Sequence, residues 1–410
     1  MELQLSPDAE PERYALRVDR ARQAAGRWVA QTDLKNPLQG PGTALLAEEG
    51  SSDVFVAGPF AAGAGVAQRS AEGWDILGLA SRQDEVPVRI LALLRRGAHL
   101  FAAGNFTSIG GVAASGIARW NGSIWESLGT GIQVVATDFS NQVLEVRDLA
   151  FLGDNLFVGG LFRVSGGVPT FNLSRWDGTQ WHSLPGPFGL RQLDGVGGRR
   201  DDLGESVDSL AVLGSKVYVA GAYQFPSSNV GGWGLDGMVD NTFGGTLRST
   251  FDRGRVRLAR ADGGLLYVQG EIGRAGANFG TIDVQDFAVW TGAEWRRGPT
   301  ALPHSGVSDM VVRGPNIVVG GELFNLSDDT ETGRPENPTV TQGIGFWNGT
   351  EWRVPGIGVE SEAGSFDGAP RVSGSVARLQ LRGHQLLVTG QFTFAGGNPA
   401  AFYAVWENAP

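Results

Sequence analysis

The chain has no cysteine in 410 residues, and lysine occurs only at positions 35 and 216. The first absence excludes disulfides, thiolate metal sites and a cysteine nucleophile. The second leaves arginine carrying nearly all the positive charge, a side chain suited to planar, bidentate contact with carboxylates. Histidine is scarce too, at 99, 182, 304 and 384, with no metal-spaced pair, so no metal is expected. No run approaches the roughly 20 apolar residues that cross a bilayer as a helix. The opening Met-Glu-Leu-Gln lacks a basic-then-apolar leader, which makes a cytoplasmic location the expectation. A net charge of −10 argues against nucleic acid and anionic membranes as main partners.

Glycine is plentiful instead: 63 residues, about twice the usual share and without a collagen-like period. Many of these glycines belong to one recurring phrase, an apolar strand ending in Gly and often followed by an aromatic. It reads FVAGPF (55–60), FAAGNF (101–106), FVGGLF (157–162), YVAGAY (218–223), YVQGEI (267–272), VVGGEL (318–323) and LVTGQF (387–392). The shared glycines lie 46 to 69 residues apart, the length of a four-stranded module with insertions.

A second phrase follows in most repeats: RWNGSIW (119–125), RWDGTQW (175–181), VWTGAEW (289–295) and FWNGTEW (346–352). Asn-Gly and Asp-Gly between apolar runs signal a tight hairpin, with positive φ expected at both central residues. Each pair of Trp then flanks a turn between a third and a fourth strand. The first repeat has a looser version ending at Trp74, and the fourth, around Trp233 to Phe243, has lost the pattern. The last repeat ends at VWENAP (405–410) without a fourth strand, and Gly26-Arg27-Trp28 has the missing shape. Pairing Trp28 with Trp406 closes the set and removes an open sheet edge.

These phrases resemble those of kelch-repeat and galactose-oxidase-like propellers, FVGGLF with RWDGTQW most closely. The Trp-rich variant is also similar to repeats in fungal cortical polarity-marker proteins. The resemblance covers residues 26–410 and implies a fold: all-β, a seven-bladed β-propeller of four-stranded antiparallel blades, the last closed by an N-terminal strand. The copper radical site of galactose oxidase requires a Tyr–Cys cofactor, so that chemistry does not carry over and no cofactor is expected. Residues 1–25 form a separate extension. Ser6, Pro7 and the ordering of acids before bases there predict a short helix.

In such a module the turns after the first and third strands share one rim, and the other connections share the opposite rim. The first set is short throughout. The long segments are 131–145, 186–205, about 223–250, 323–343 and 356–374, several of them acidic, and long connections on a rigid scaffold are where function concentrates. The starts of the first strands meet this rim around the axis, and aligning the repeats places Arg89, Arg147, Asp148, Asp208, Arg257, Asp309 and Arg378 there. The ends of the second strands add Asn105, Glu271, Glu322 and Gln391.

This ring is the candidate site. It suits a small molecule, glycan or peptide bound by a monomeric, non-enzymatic propeller through bidentate arginine. The alternative is a cofactor-independent lyase, cyclase or hydrolase using paired carboxylates, and the plainest reading is a set of charges that simply pair with one another in a wet channel. Two lesser motifs carry little. Gly232–Gly237 fits G-x-G-x-x-G without a following helix, and Ser327–Glu331 is an acidic loop that departs from the EF-hand pattern.

Overall fold

The computed structural model describes residues 26–29, 36–70, 72–133, 144–184, 206–222, 229–240, 246–248, 255–276, 282–299, 306–322, 325–326, 339–340, 343–353, 359–360, 362–366, 369–372, 374–396 and 398–407. The helix expected within 1–25 and most of the long connections lie outside this set. Among the described residues every regular element is a strand.

The unit is a four-stranded antiparallel meander. One example runs Glu145–Leu152, Asn155–Leu161, Leu173–Trp176 and Trp181–Ser183. The same order recurs in the sheets that begin with the strands Ile90–Arg96, Arg255–Asp262 and Val307–Arg313. The sheet beginning at Ser206–Leu213 has three described strands, and only an isolated Trp233–Val239 bridge stands where a fourth would pair. The sheet beginning at Ala44–Ala47 runs on through Gly73–Ser81 into the small Ser108–Ala113 hairpin of the next repeat.

Second strands read as continuous apolar runs because both of their faces are covered. Leu156 and Val158 pack with Phe101, Ala103 and Ile117 of the preceding sheet, whereas Phe157 packs with Val207 and Leu210 of the following one. Alternate side chains thus serve opposite neighbours, and a sheet becomes stable only when stacked between two others.

The first strands adjoin in chain order, and Ala44–Ala47 lies beside both Ile90–Arg96 and Ser375–Arg382. Closure is made as the G-x-W signature implies. Arg27–Val29 pairs with Tyr403–Glu407, placing Trp28 opposite Trp406 with ring centroids 5.3 Å apart and an interplanar angle of 76°. Arg27 adds an ion pair to Glu407 at 3.0 Å. The other four Trp pairs are also cross-strand partners, at 5.3 to 5.5 Å. The second Trp of a pair reaches into the preceding sheet: Trp125 and Trp181 donate Nε1–H to the carbonyls of Leu77 (3.0 Å) and Leu128 (2.8 Å).

Two local devices explain the repeat phrases. Six of the first strands carry a β-bulge one residue after the partner of the shared glycine, between Val146 and Asp148 for example. A Cβ on Gly160 would strike the carbonyl oxygen of Glu145, and Gly104, Gly221, Gly270, Gly321 and Gly390 face the same oxygen in their own sheets. The bulge brings that backbone inward, so no side chain fits.

The hairpin reading needs a correction. Only its glycine (Gly122, Gly178, Gly292, Gly349) has positive φ. The residue before it works through its side chain instead. Asn121 Oδ1 accepts the N–H groups of Ser123 and Ile124 at 3.0 Å each, and Asp177 and Asn348 do the same in their turns. Thr291 substitutes with its hydroxyl, at 3.4 and 3.1 Å. Replacing Asn121 with Ala removes both acceptors and is expected to cost about 1 kcal/mol in denaturant titration, with Asn121→Thr recovering most of it.

Candidate functional site

The bulges decide where the predicted ring residues go. Each inserts one residue, so side chains two before the bulge and at it collect at the rim, and the next one falls a layer deeper. At the rim a chain of ion pairs crosses neighbouring first strands. Arg89 pairs with Glu145, Glu145 with Arg147 (2.8 Å), Arg147 with Asp208, and Asp208 with Arg255 (2.5 and 2.8 Å). The carboxylates are the inner layer: the Glu145 and Asp208 side chains are 11% and 7% exposed, against 54% for Arg89 and 34% for Arg255. The hydrogen bonds that Arg255 donates to Asp208 raise its pKa further, so it stays charged.

One layer down, Asp148 and Asp309 are clips between strands. Asp148 accepts the N–H of Leu149 (2.8 Å), the N–H of Leu210 on the next strand (2.8 Å) and the Ser209 hydroxyl (3.0 Å). Asp309 accepts the N–H groups of Met310 (2.8 Å) and of Leu379 on the next strand (2.9 Å). The first strands are sheet edges, so N–H groups on their axial side have no ladder partner, and the carboxylates satisfy them. Between the two clips sits Arg260, which donates to Asp309 (2.6 Å), to the Met310 carbonyl (3.0 Å) and to the Ser209 hydroxyl (3.0 Å). It lies deep in the ring yet its side chain is 31% exposed, so it faces an axial channel.

Burial raises the pKa of Asp148, against the pull of Arg260 and its hydrogen bonds. Burial would lower that of Arg260, but the charges of Asp309 and Asp148 outweigh it and leave it raised.

The remaining predicted members do not join the network. Arg257 pairs with Glu271 at 2.5 Å, apart from the rim chain. Asn105 is buried and structural, accepting Arg89 N–H (2.6 Å) and donating to the Pro87 carbonyl (2.9 Å). Arg378 donates to the Ala377 carbonyl at 2.8 Å, and Glu322 and Gln391 are exposed. Glu145, Arg255 and Arg260 were not expected. Counting back from the shared glycines with one bulge residue inserted aligns Glu145 and Arg255 with Arg89, a signal that strict strand alternation hides.

The opposite rim is laced together by its short turns. Arg313 reaches the Gly383 carbonyl, Gly314 N–H donates to Asp262 (2.6 Å), and Arg382 donates to the Ser52 carbonyl (3.2 Å) across the closure. A cavity of about 580 Å³ opens on this rim, between the first sheet and the sheet holding both chain ends. The acidic loop at 327–331 and His304 lie outside the described residues. Among the described residues no three His, Asp or Glu side chains converge as a metal site would require.

No family model matches the chain, and no curated protein matches it. Solved structures do. The chain is similar to the extracellular domain of a hybrid two component system, BT4673 from B. thetaiotaomicron, with 10% identity and a TM-score of 0.50, covering 93% of this chain and 39% of that one. YCF48 bound to D1 peptide aligns with 11% identity and a TM-score of 0.48, over 95% and 97% of the two chains. Raptor from Chaetomium thermophilum gives 11% and 0.48, over 94% and 30%. The chain thus spans well under half the length of two of these structures. At such identities the likeness concerns fold alone. The stacked antiparallel sheets, whose first strands adjoin in chain order and return to the start, make the chain a β-propeller.

Proposed function

We propose that the chain is a seven-bladed, kelch-like propeller that binds an anionic ligand at the rim carrying Arg89, Arg147 and Arg255. The count rests on the first strands, which adjoin in the order 44–47, 90–96, 145–152, 206–213, 255–262, 307–313 and 375–382 and return to the start. The binding reading rests on one observation: along the rim chain the carboxylates of Glu145 and Asp208 are inside and already held by arginine, so guanidinium is what a molecule approaching that stretch meets. An acidic peptide, an acidic glycan or a small organic acid would satisfy it through charge-assisted, bidentate contacts.

Catalysis is the weaker reading. Acid–base work needs a carboxylate free to trade a proton with a substrate. Glu145 and Asp208 are each held by two arginines, and the lone pairs of Asp148 and Asp309 are occupied by backbone N–H groups.

Citrate, trigalacturonate and penta-glutamate serve as probes. At least one is expected to bind by calorimetry in a salt-sensitive manner, and Arg89→Ala with Arg255→Ala together to weaken it tenfold or more. Each carboxylate keeps Arg147 in that variant, so the fold should hold. Binding unaffected by the double substitution, or no binding by any probe at millimolar concentration, rejects the rim as the site.

A further inference from the structure

The cavity on the opposite rim has a chemistry of its own. Its lining includes Arg69, Arg382 and Asp53, with Val29 and Val405 as an apolar wall. Among the described lining residues Asp53 is the only carboxylate, and it is spent: Arg95 holds it at 2.5 Å and Gln68 donates to it at 3.2 Å. Arg69 and Arg382 have no carboxylate partner among the described residues. Arg382 donates only to the Ser52 carbonyl and to Gln385 Oε1 (2.8 Å). Among the described residues two guanidinium groups therefore face one cavity without a counter-charge, in a protein of net charge −10.

The surroundings also offer donors in excess. Trp74, the cross-strand partner of Arg69, has its Nε1–H buried without an acceptor. Its ring meets Tyr403 edge-on, with centroids 5.5 Å apart. The Tyr403 hydroxyl is likewise buried with no hydrogen bond of normal geometry. Burial raises the Tyr403 pKa, while the charges of Arg69 and Arg382 work the other way, which places both guanidiniums near that ring. A buried donor without a partner is unusual, and the Trp74 N–H stands beside two cations that no described carboxylate neutralises.

We propose that this cavity binds the carboxylate of a ligand with a short apolar body, either a small organic acid or the C-terminus of a peptide. Arg69 and Arg382 grip the carboxylate, and the Val29–Val405 wall receives the apolar part. A volume of about 580 Å³ is within the usual range for such ligands. The site lies on the rim opposite the Arg89–Arg255 network and stands independently of the function proposed for that network.

Its position adds a consequence. The lining draws on the N-terminal strand (Val29), the C-terminal strand (Val405) and the first sheet (Ser52 to Ser70). A bound acid therefore bridges the three segments that close the ring. Ligand that binds only the closed form stabilises it by mass action.

The test uses the full chain with 4-methylpentanoate, acetyl-Ala-Val-Val with a free carboxylate, and the amide of each. Both calorimetric affinity and melting temperature are read. At least one acid is expected to bind and raise the melting temperature by a few degrees, with its amide at least tenfold weaker. Arg69→Gln and Arg382→Gln are each expected to weaken the acid tenfold or more. Arg69→Lys should fall between, and Arg296→Gln, at an exposed arginine outside both sites, should bind like wild type. Tighter binding of the peptide assigns a chain terminus, and tighter binding of the free acid assigns a small metabolite. Amides that bind as well as acids, Gln variants that bind like wild type, or no binding by either acid at 10 mM overturn the proposal.

Discussion

A chain that starts at Asn36 melts about 5–10 °C below the full protein. The loss has three parts. Trp28 is 8% exposed and packed edge-on to Trp406, and removing a buried Trp side chain costs about 3–5 kcal/mol. The Arg27–Val29 strand takes its ladder hydrogen bonds and the Arg27–Glu407 pair with it. Its departure also leaves Tyr403–Glu407 as an unpaired edge beside the first sheet, a template for pairing with another chain. Together these reach about 5–8 kcal/mol. With an unfolding entropy of about 2 cal/mol/K per residue, each kcal/mol moves the midpoint of a chain this long by roughly 1 °C. A second chain starting at Gly26 separates the strand from what precedes it and should melt close to wild type. Trp28→Ala should show about half the full loss. An Asn36 chain with an unchanged calorimetric transition and no new oligomer would mean the ring does not depend on this strand.

That closure was legible in the sequence for a physical reason. Four Trp pairs sit at a fixed spacing because each pair spans a turn of one geometry, so a lone Trp406 calls for a partner that G-R-W supplies. The shared glycines were legible as well, although their cause was not: only coordinates reveal the oxygen of Glu145 occupying the space of a Gly160 side chain. The candidate site was read less well. A strand's period of two assigns alternate residues to alternate faces, and one bulge residue reverses the assignment beyond it. Arg147 and Asp208 sit at bulges and reach the rim, whereas Asp148 and Asp309, one residue further along, turn inward to hold backbone. Arg257 sits at a bulge too but pairs with Glu271, leaving Arg255 to take its place in the rim chain. The hairpin asparagines illustrate the same limit. Asn-Gly predicts the turn correctly whether the Asn works through its φ or through its side chain, so composition alone does not separate the two mechanisms.

Arg260 offers the sharpest test of the inner layer. Among the described residues its guanidinium is the one cation placed between Asp148 and Asp309, and it pairs at 2.6 Å with Asp309, whose side chain is only 5% exposed. Replacing one partner of a buried pair by an apolar residue typically costs 3–5 kcal/mol, because the other charge stays behind without compensation. The Arg260 side chain retains some contact with water, so Arg260→Leu is expected at about 2–4 kcal/mol in urea titrations near neutral pH. The pH dependence carries the mechanism. Burial already raises the folded-state pKa of Asp148 above the ordinary 3.8, and Arg260 is the largest influence holding it down. Without that charge it rises further. Between 3.8 and the raised value the folded protein holds more protons than the unfolded chain, so stability falls as pH rises through this window. The deficit of Arg260→Leu relative to wild type should therefore be smallest near pH 4 and grow toward pH 8. Arg255→Leu, at the more exposed rim where Asp208 keeps Arg147, should cost about 1 kcal/mol or less. A deficit that stays level from pH 4 to 8, or one no larger than that of Arg255→Leu, would show that Arg260 does not neutralise the clips and that the strands are held by their backbone contacts alone.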